Sequence, residues 1–261
     1  MRRWAPGALF IATSAFPVLA QTTGSPATLP VWDVVSVRAA DPRHCTSIHT
    51  VRYSPDGMTA VCTPLVAVIQ QAYALLHPTL ILNAPEWVQT GSLWNIDAKV
   101  ASEDAASYAA LKPSEKFYMM RSVLTDRFHM KAHMERREIP VYDLVIAKGG
   151  PKLKQATPQD AAKGHLWMRT PGDLEAVDTA IVSLPIMLNA EVGRAIVDKT
   201  GLTGRYDFTL KYLAASGAAA DDTGGPSIFT AIQEQLGLKL QPAKAPMDVL
   251  VIDSIERPSD N

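Results

Sequence analysis

Beyond its first 20 residues the sequence has no apolar run approaching the roughly 20 residues that cross a hydrocarbon core. It has no excess of either charge: 25 basic side chains against 26 acidic ones leave a formal net charge of -1. That balance, with no cluster of lysines and arginines, removes the electrostatic case for a nucleic acid or an anionic surface as partner. Catalytic signatures are missing as well. There is no Gly-x-Ser-x-Gly, no His-Glu-x-x-His and no Cys-x-x-Cys. The pair of carboxylates used in glycoside hydrolysis can come from distant segments, so a hydrolase stays open as an alternative. What the chain does have is material for a core, with 47% hydrophobic residues in 261.

The N-terminus carries an address. Arg2 and Arg3 precede the 13-residue stretch from Trp4 to Phe16, and Val18 and Ala20 supply small residues before the polar run Gln21, Thr22, Thr23. Order and scale are those of a signal peptide, expected over residues 1–20 with cleavage near Ala20. No cysteine follows the site to take a lipid anchor. The expectation is a periplasmic or secreted protein of about 240 residues, with no membrane span in the mature chain.

Both cysteines fall in the exported portion, where oxidation favours pairing. Between Cys45 and Cys62, residues Val51 to Tyr53 and Met58 to Val61 flank Pro55, Asp56 and Gly57, the pattern of a hairpin. A Cys45–Cys62 disulfide is expected, contributing on the order of 3 kcal/mol in the chain-entropy account.

Internal similarity organises the rest. Four segments share one plan of helix, strand, connection, strand. They begin at Leu65, near Ser114 (read as a helix cap), at Leu184 and at Ile228, and their last strands end at Ala98, Ala147, Leu210 and Ile252. Helices of about three turns followed by strands must share sheets to bury their apolar faces, so the fold class is α+β. The expectation is four helix-strand-strand units in two similar lobes, with antiparallel or mixed sheets and helices on one face. The lobes are placed at residues 28–154 and 179–261. A connecting loop is placed at 155–178, where Gly, Pro, Lys and Asp abound, and a mobile loop from Ala214 to Gly225.

Two segments attract chemical readings. His129, Lys131, His133, Glu135 and Arg137 alternate with Phe128, Met130, Ala132 and Met134. On a strand, His129 and His133 stand about 13 Å apart, too far for one ion with ligand bonds near 2.1 Å. No metal is expected, and His133, Glu135 and Arg137 are candidates for a binding surface on an outer strand face. Asp198 to Arg205 form a glycine-bearing loop that runs into a strand, which is a tight turn and not a phosphate cradle. Gly201 and Gly204 are read as supplying positive φ, and Asp198 and Arg205 as a pair across the turn. Trp87, beside Pro85 and Glu86, is a candidate for stacking on a sugar or for burial.

Further runs carry a resemblance. Asp126, Arg127 and Phe128, then His133, Glu135, Arg137, Glu138, Pro140, Val141 and Tyr142, then Ala147 to Leu153, resemble a large soil-bacterial family of secreted proteins bearing a domain of unknown function. Val197 to Phe208, Phe229 to Leu240 and Ala245 to Ser259 are similar to the same pattern. The family brings no activity to carry over. Its domains look like the extracytoplasmic C-terminal part of some beta-lactam-sensor-type membrane zinc peptidases, and its units look similar to helix-and-strand modules of secretins and outer-membrane receptors. The resemblance implies sensing or binding outside the membrane. Together the readings give a non-catalytic extracytoplasmic binding or protein-interaction module, without a cofactor, whose partner is a protein or an envelope ligand. The alternative is a hydrolase of a cell-envelope or extracellular polymer.

Overall fold

The computed structural model describes residues 29–45, 51–157, 164–214 and 225–258. The expected signal peptide, and all but the ends of the loop expected from Ala214 to Gly225, lie outside them. The fold is α+β, with six helices and three mostly antiparallel sheets among the described residues.

The first sheet has the order β1-β5-β3-β2, with β1 at Trp32–Ala39, β2 at Arg52–Ser54, β3 at Gly57–Pro64 and β5 at Leu93–Val100. Strict alternation in β5 turns Trp94, Ile96, Ala98 and Val100 inward. A bulge at Asp33 keeps Trp32 on the same side as Val35, facing Val100 across the ladder. The expected hairpin is present, and Cys45 bonds Cys62 with their Cα atoms 5.8 Å apart. Helices α1 (Leu65–Ala72), α2 (Glu86–Gln89), α3 (Ala105–Ala109) and α4 (Pro113–Phe128) complete this half, with the short strand β4 at Ile81–Leu82. Helix α4 starts one residue before Ser114. Pro113 opens the first turn and Glu115 accepts the Lys112 N–H at 2.7 Å, so Ser114 lies inside the helix and does not cap it.

The third sheet repeats the first. Its order is β7-β11-β9-β8, with β7 at Lys154–Gln155, β8 at His165–Thr170, β9 at Asp173–Ala180 and β11 at Arg205–Lys211. Two of these strands correct the connecting loop expected at 155–178. β8 and β9 pair antiparallel around the Pro171–Gly172 turn, and Leu174 and Ala176 reach the core. Helix α5 (Ser183–Val192), strand β10 (Ile196–Asp198) and helix α6 (Ile228–Leu236) follow. Position by position, β2, β3, α1, β4, β5 and α4 correspond to β8, β9, α5, β10, β11 and α6.

The middle sheet joins the halves. Its order is β10-β6-β12-β4, where β6 (Lys131–Ile146) and β12 (Leu238–Ser254) are antiparallel partners along their whole length. Each replaces the two strands expected after its helix. Pro140, Pro242 and Pro246 fall inside these strands, each at a position where its own strand has a neighbour on one side only among the described residues, and a strand with an open side tolerates a missing N–H. Each long strand crosses from one half to the other. One core gathers Met58, Ile69, Ile96, Leu124 and Phe128 with Val249 to Ile252 from the end of β12. The other gathers Leu174, Leu188, Leu210, Ile232 and Leu236 with Leu144 from the end of β6.

Candidate functional site

The residues singled out by sequence occupy two separate places. His133 Nδ1 lies 3.0 Å from the Asp253 carboxylate on the exposed side of the β6–β12 ribbon, and Glu135 pairs with Arg137 at 2.7 Å beside them. The Arg137 guanidinium holds the Glu135 carboxyl below the usual carboxylate range. Glu135 and Arg137 neutralise one another on the strand surface. His129 is not on the strand: it ends α4 in a left-handed conformation at φ 45°.

Asp198 and Arg205 do not meet. Asp198 accepts from the Thr200 N–H at 2.9 Å and its hydroxyl at 2.7 Å, closing its own turn. Arg205 instead reaches Asp178, whose carboxylate is 2.9 Å from its Nε and whose carbonyl also accepts from it. Gly201 has the expected positive φ of 69°; Gly204 does not, and serves by leaving room for the Tyr206 hydroxyl. Trp87 is half-buried, with the edge of Trp94 at 6.4 Å and the Arg257 guanidinium 5.1 Å from its ring centre, so one of its faces already has a neighbour. Among the described residues no three His, Cys, Asp or Glu side chains gather as metal ligands, and no helix is long and apolar enough to cross a membrane.

A cleft lies elsewhere, between edge strand β1 and helix α4. It measures about 820 Å³, with Trp32 and Val35 on one wall, Tyr118 and Arg121 on the other, and Met134 of β6 at one end. The β1 wall is anchored by the Trp32 indole N–H, which donates to the Met119 carbonyl at 3.0 Å. Apolar surface is left in solvent around it: Val31 is 74% exposed and Tyr118 59%.

Arg121 is the organised charge of this cleft. Its Nε donates to the Ala72 carbonyl at 2.9 Å, and its guanidinium lies 4.4 Å from the Tyr73 ring centre and 5.3 Å from that of Tyr118. Its two terminal nitrogens meet no acceptor among the described residues. A guanidinium held flat with that fork open suits a carboxylate. Asp33, Asp126 and Arg127 stand on the same rim without ion pairs among the described residues, so the cleft as a whole is charge-balanced. Sequence reasoning missed Arg121. Only the spacing of Tyr118 and Arg121, three residues apart on a helix, was there to suggest it.

No curated protein and no solved structure matches this chain. Residues 66–255, which include α4, the ribbon and the second half of the duplicated plan but begin after β1, β2 and β3, match the model of a protein family of unknown function, and the chain belongs to that family, DUF3738.

Proposed function

We propose that the chain is exported, loses residues 1–20, and works in the periplasm or the medium as a non-catalytic interaction module. The cleft between β1 and α4 carries this reading: it joins exposed apolar surface to one pre-oriented guanidinium, which is the equipment of recognition. Support for the address comes from the Cys45–Cys62 bond, which an oxidising compartment favours. The likeness to the extracytoplasmic part of beta-lactam-sensor-type peptidases and to a soil-bacterial secreted family agrees with it. The hydrolase alternative has one observation on its side, the presence of both Asp33 and Asp126 on the cleft. Both side chains are exposed, whereas a carboxyl acting as general acid is held in apolar surroundings. The test compares Asp33→Asn/Asp126→Asn with Arg121→Glu in retention of a partner from the exported fraction and in release of soluble fragments from envelope polymers. Retention kept by the first variant and lost by the second is expected. Fragment release that disappears with the two aspartates would establish the hydrolase instead.

A further inference from the structure

We propose that the partner adds an extended apolar segment to the open edge of β1, laying side chains into the cleft along α4 and setting one carboxylate on Arg121. This rests on the interaction reading above and names its partner chemistry. Among the described residues β1 is the outermost strand of its sheet, eight residues long and without proline, and Val34 on it is 57% exposed. A strand of that kind offers a row of unpaired backbone groups to another chain.

The molecule contains its own control. At the same position of the third sheet stands β7, only two residues long, both of them polar and exposed. The segment before β7 is closed down onto the end of α6: the Lys152 N–H donates to the Leu236 carbonyl at 2.8 Å, and the Gly150 carbonyl lies 2.1 Å from where a Gly237 Cβ would be. The same topology therefore builds a two-residue edge in one half and an eight-residue one in the other, so the fold does not require the long edge. A strand edge beside a helix groove is a general means of holding an extended peptide, with main-chain bonds for affinity and side-chain pockets for choice.

Charge narrows the occupant. Arg121 presents an open fork to one carboxylate, while Asp33 and Asp126 on the same rim repel a run of them. An extended segment of Val, Ile or Thr character with a single Asp, Glu or terminal carboxylate fits; an acidic polymer does not.

The experiment uses the exported, disulfide-bonded chain and acetylated heptapeptides of alternating Val and Thr. These end in an amidated Glu, an amidated Gln or a free carboxylate, and a fourth version of the Glu peptide is N-methylated at alternate residues. Titration calorimetry gives affinity and hydrogen exchange reads residues 32–39. Expected are slowed exchange in β1, affinity about tenfold lower when Glu becomes Gln or when Arg121→Gln is introduced, and no binding of the N-methylated peptide. The free-carboxylate peptide tells a chain terminus from an acidic side chain as the preferred source. Val34→Lys, with an unchanged melting temperature, should weaken every peptide. Equal binding of the N-methylated peptide, or binding without protection of β1, overturns strand addition. So does failure of all four peptides, but the interaction reading itself falls only if no partner is retained by the native chain.

Discussion

His77 shows how one buried side chain ties the halves together and makes the fold sensitive to acid. Its Nδ1 accepts from the Thr79 backbone N–H at 3.0 Å and so carries no proton; the remaining proton is on Nε2, which donates to the Asn189 carbonyl at 2.9 Å. Burial pushes its pKa below the ordinary value of 6.5. The unfolded chain therefore binds a proton at higher pH than the folded chain does. Stability from this group is complete above about pH 6.5 and declines as pH falls from there toward the lower folded value. Urea midpoints measured between pH 7.5 and 5.5 should fall, and His77→Gln should flatten the slope over that range; an unchanged slope would show that His77 is not the group responsible. The contact was not legible in the sequence, because its partners lie 112 residues apart. The opposite holds for Cys45 and Cys62, whose closure is local and is announced by Pro55, Asp56 and Gly57. Arg121 falls between. Its ring partner Tyr118 is three residues away, but Tyr73 and the Ala72 carbonyl come from another helix.

Helix ends illustrate what an element demands of its sequence. Gly237 passes α6 into β12 at φ 65°, and a Cβ there would sit 2.1 Å from the Gly150 carbonyl oxygen. Gly193 ends α5 at φ 69°, yet nothing lies within 4 Å of the same added atom. The two glycines share backbone strain, about 1–2 kcal/mol for an alanine in the left-handed region, but only the first adds a collision with backbone. Gly193→Ala is expected to cost roughly that strain alone, and Gly237→Ala about 2 kcal/mol more or to prevent folding. Equal losses in thermal unfolding would remove the packing argument. At this scale the sequence was readable where apolar periodicity was strong, as in α1, β5 and α6. β9 escaped because its inward positions include Ala176 and Asp178, small and charged residues that mute the alternation. The long strands were each read as two strands with a connection between them; Pro140, Pro242 and Pro246 lie in those middle stretches, and whether a strand tolerates a proline depends on whether it has a neighbour on that side, which is a tertiary fact.

In the whole molecule, the expected boundary between residues 154 and 179 separates the chain but not the cores. Val249, Leu250, Val251 and Ile252 are at most 4% exposed and pack among Ile69, Ile96 and Leu124, although they are the end of the last strand. Leu144, fully buried, serves the other half in the same way. The edge strands are exchanged too: β4 pairs in parallel with the end of β12, and β10 with the end of β6. Each half lends the other the closing part of its long strand, so the duplicated plan behaves as two interlocked copies. Removing four core residues at about 2–5 kcal/mol for each large side chain, about 8–20 kcal/mol together, is as large as the 5–15 kcal/mol that holds a typical domain together. Residues 28–154 produced alone are therefore expected to lack a cooperative unfolding transition. Mixed with residues 155–261, they should regain one, with the β6–β12 amides protected from exchange. The intact chain should unfold in a single step, and Leu250→Ala should speed exchange in α1 and α4 as well as in β12. A cooperative transition in the isolated first half would show that its core closes without the borrowed strand, and that the halves are joined domains instead of exchanged ones.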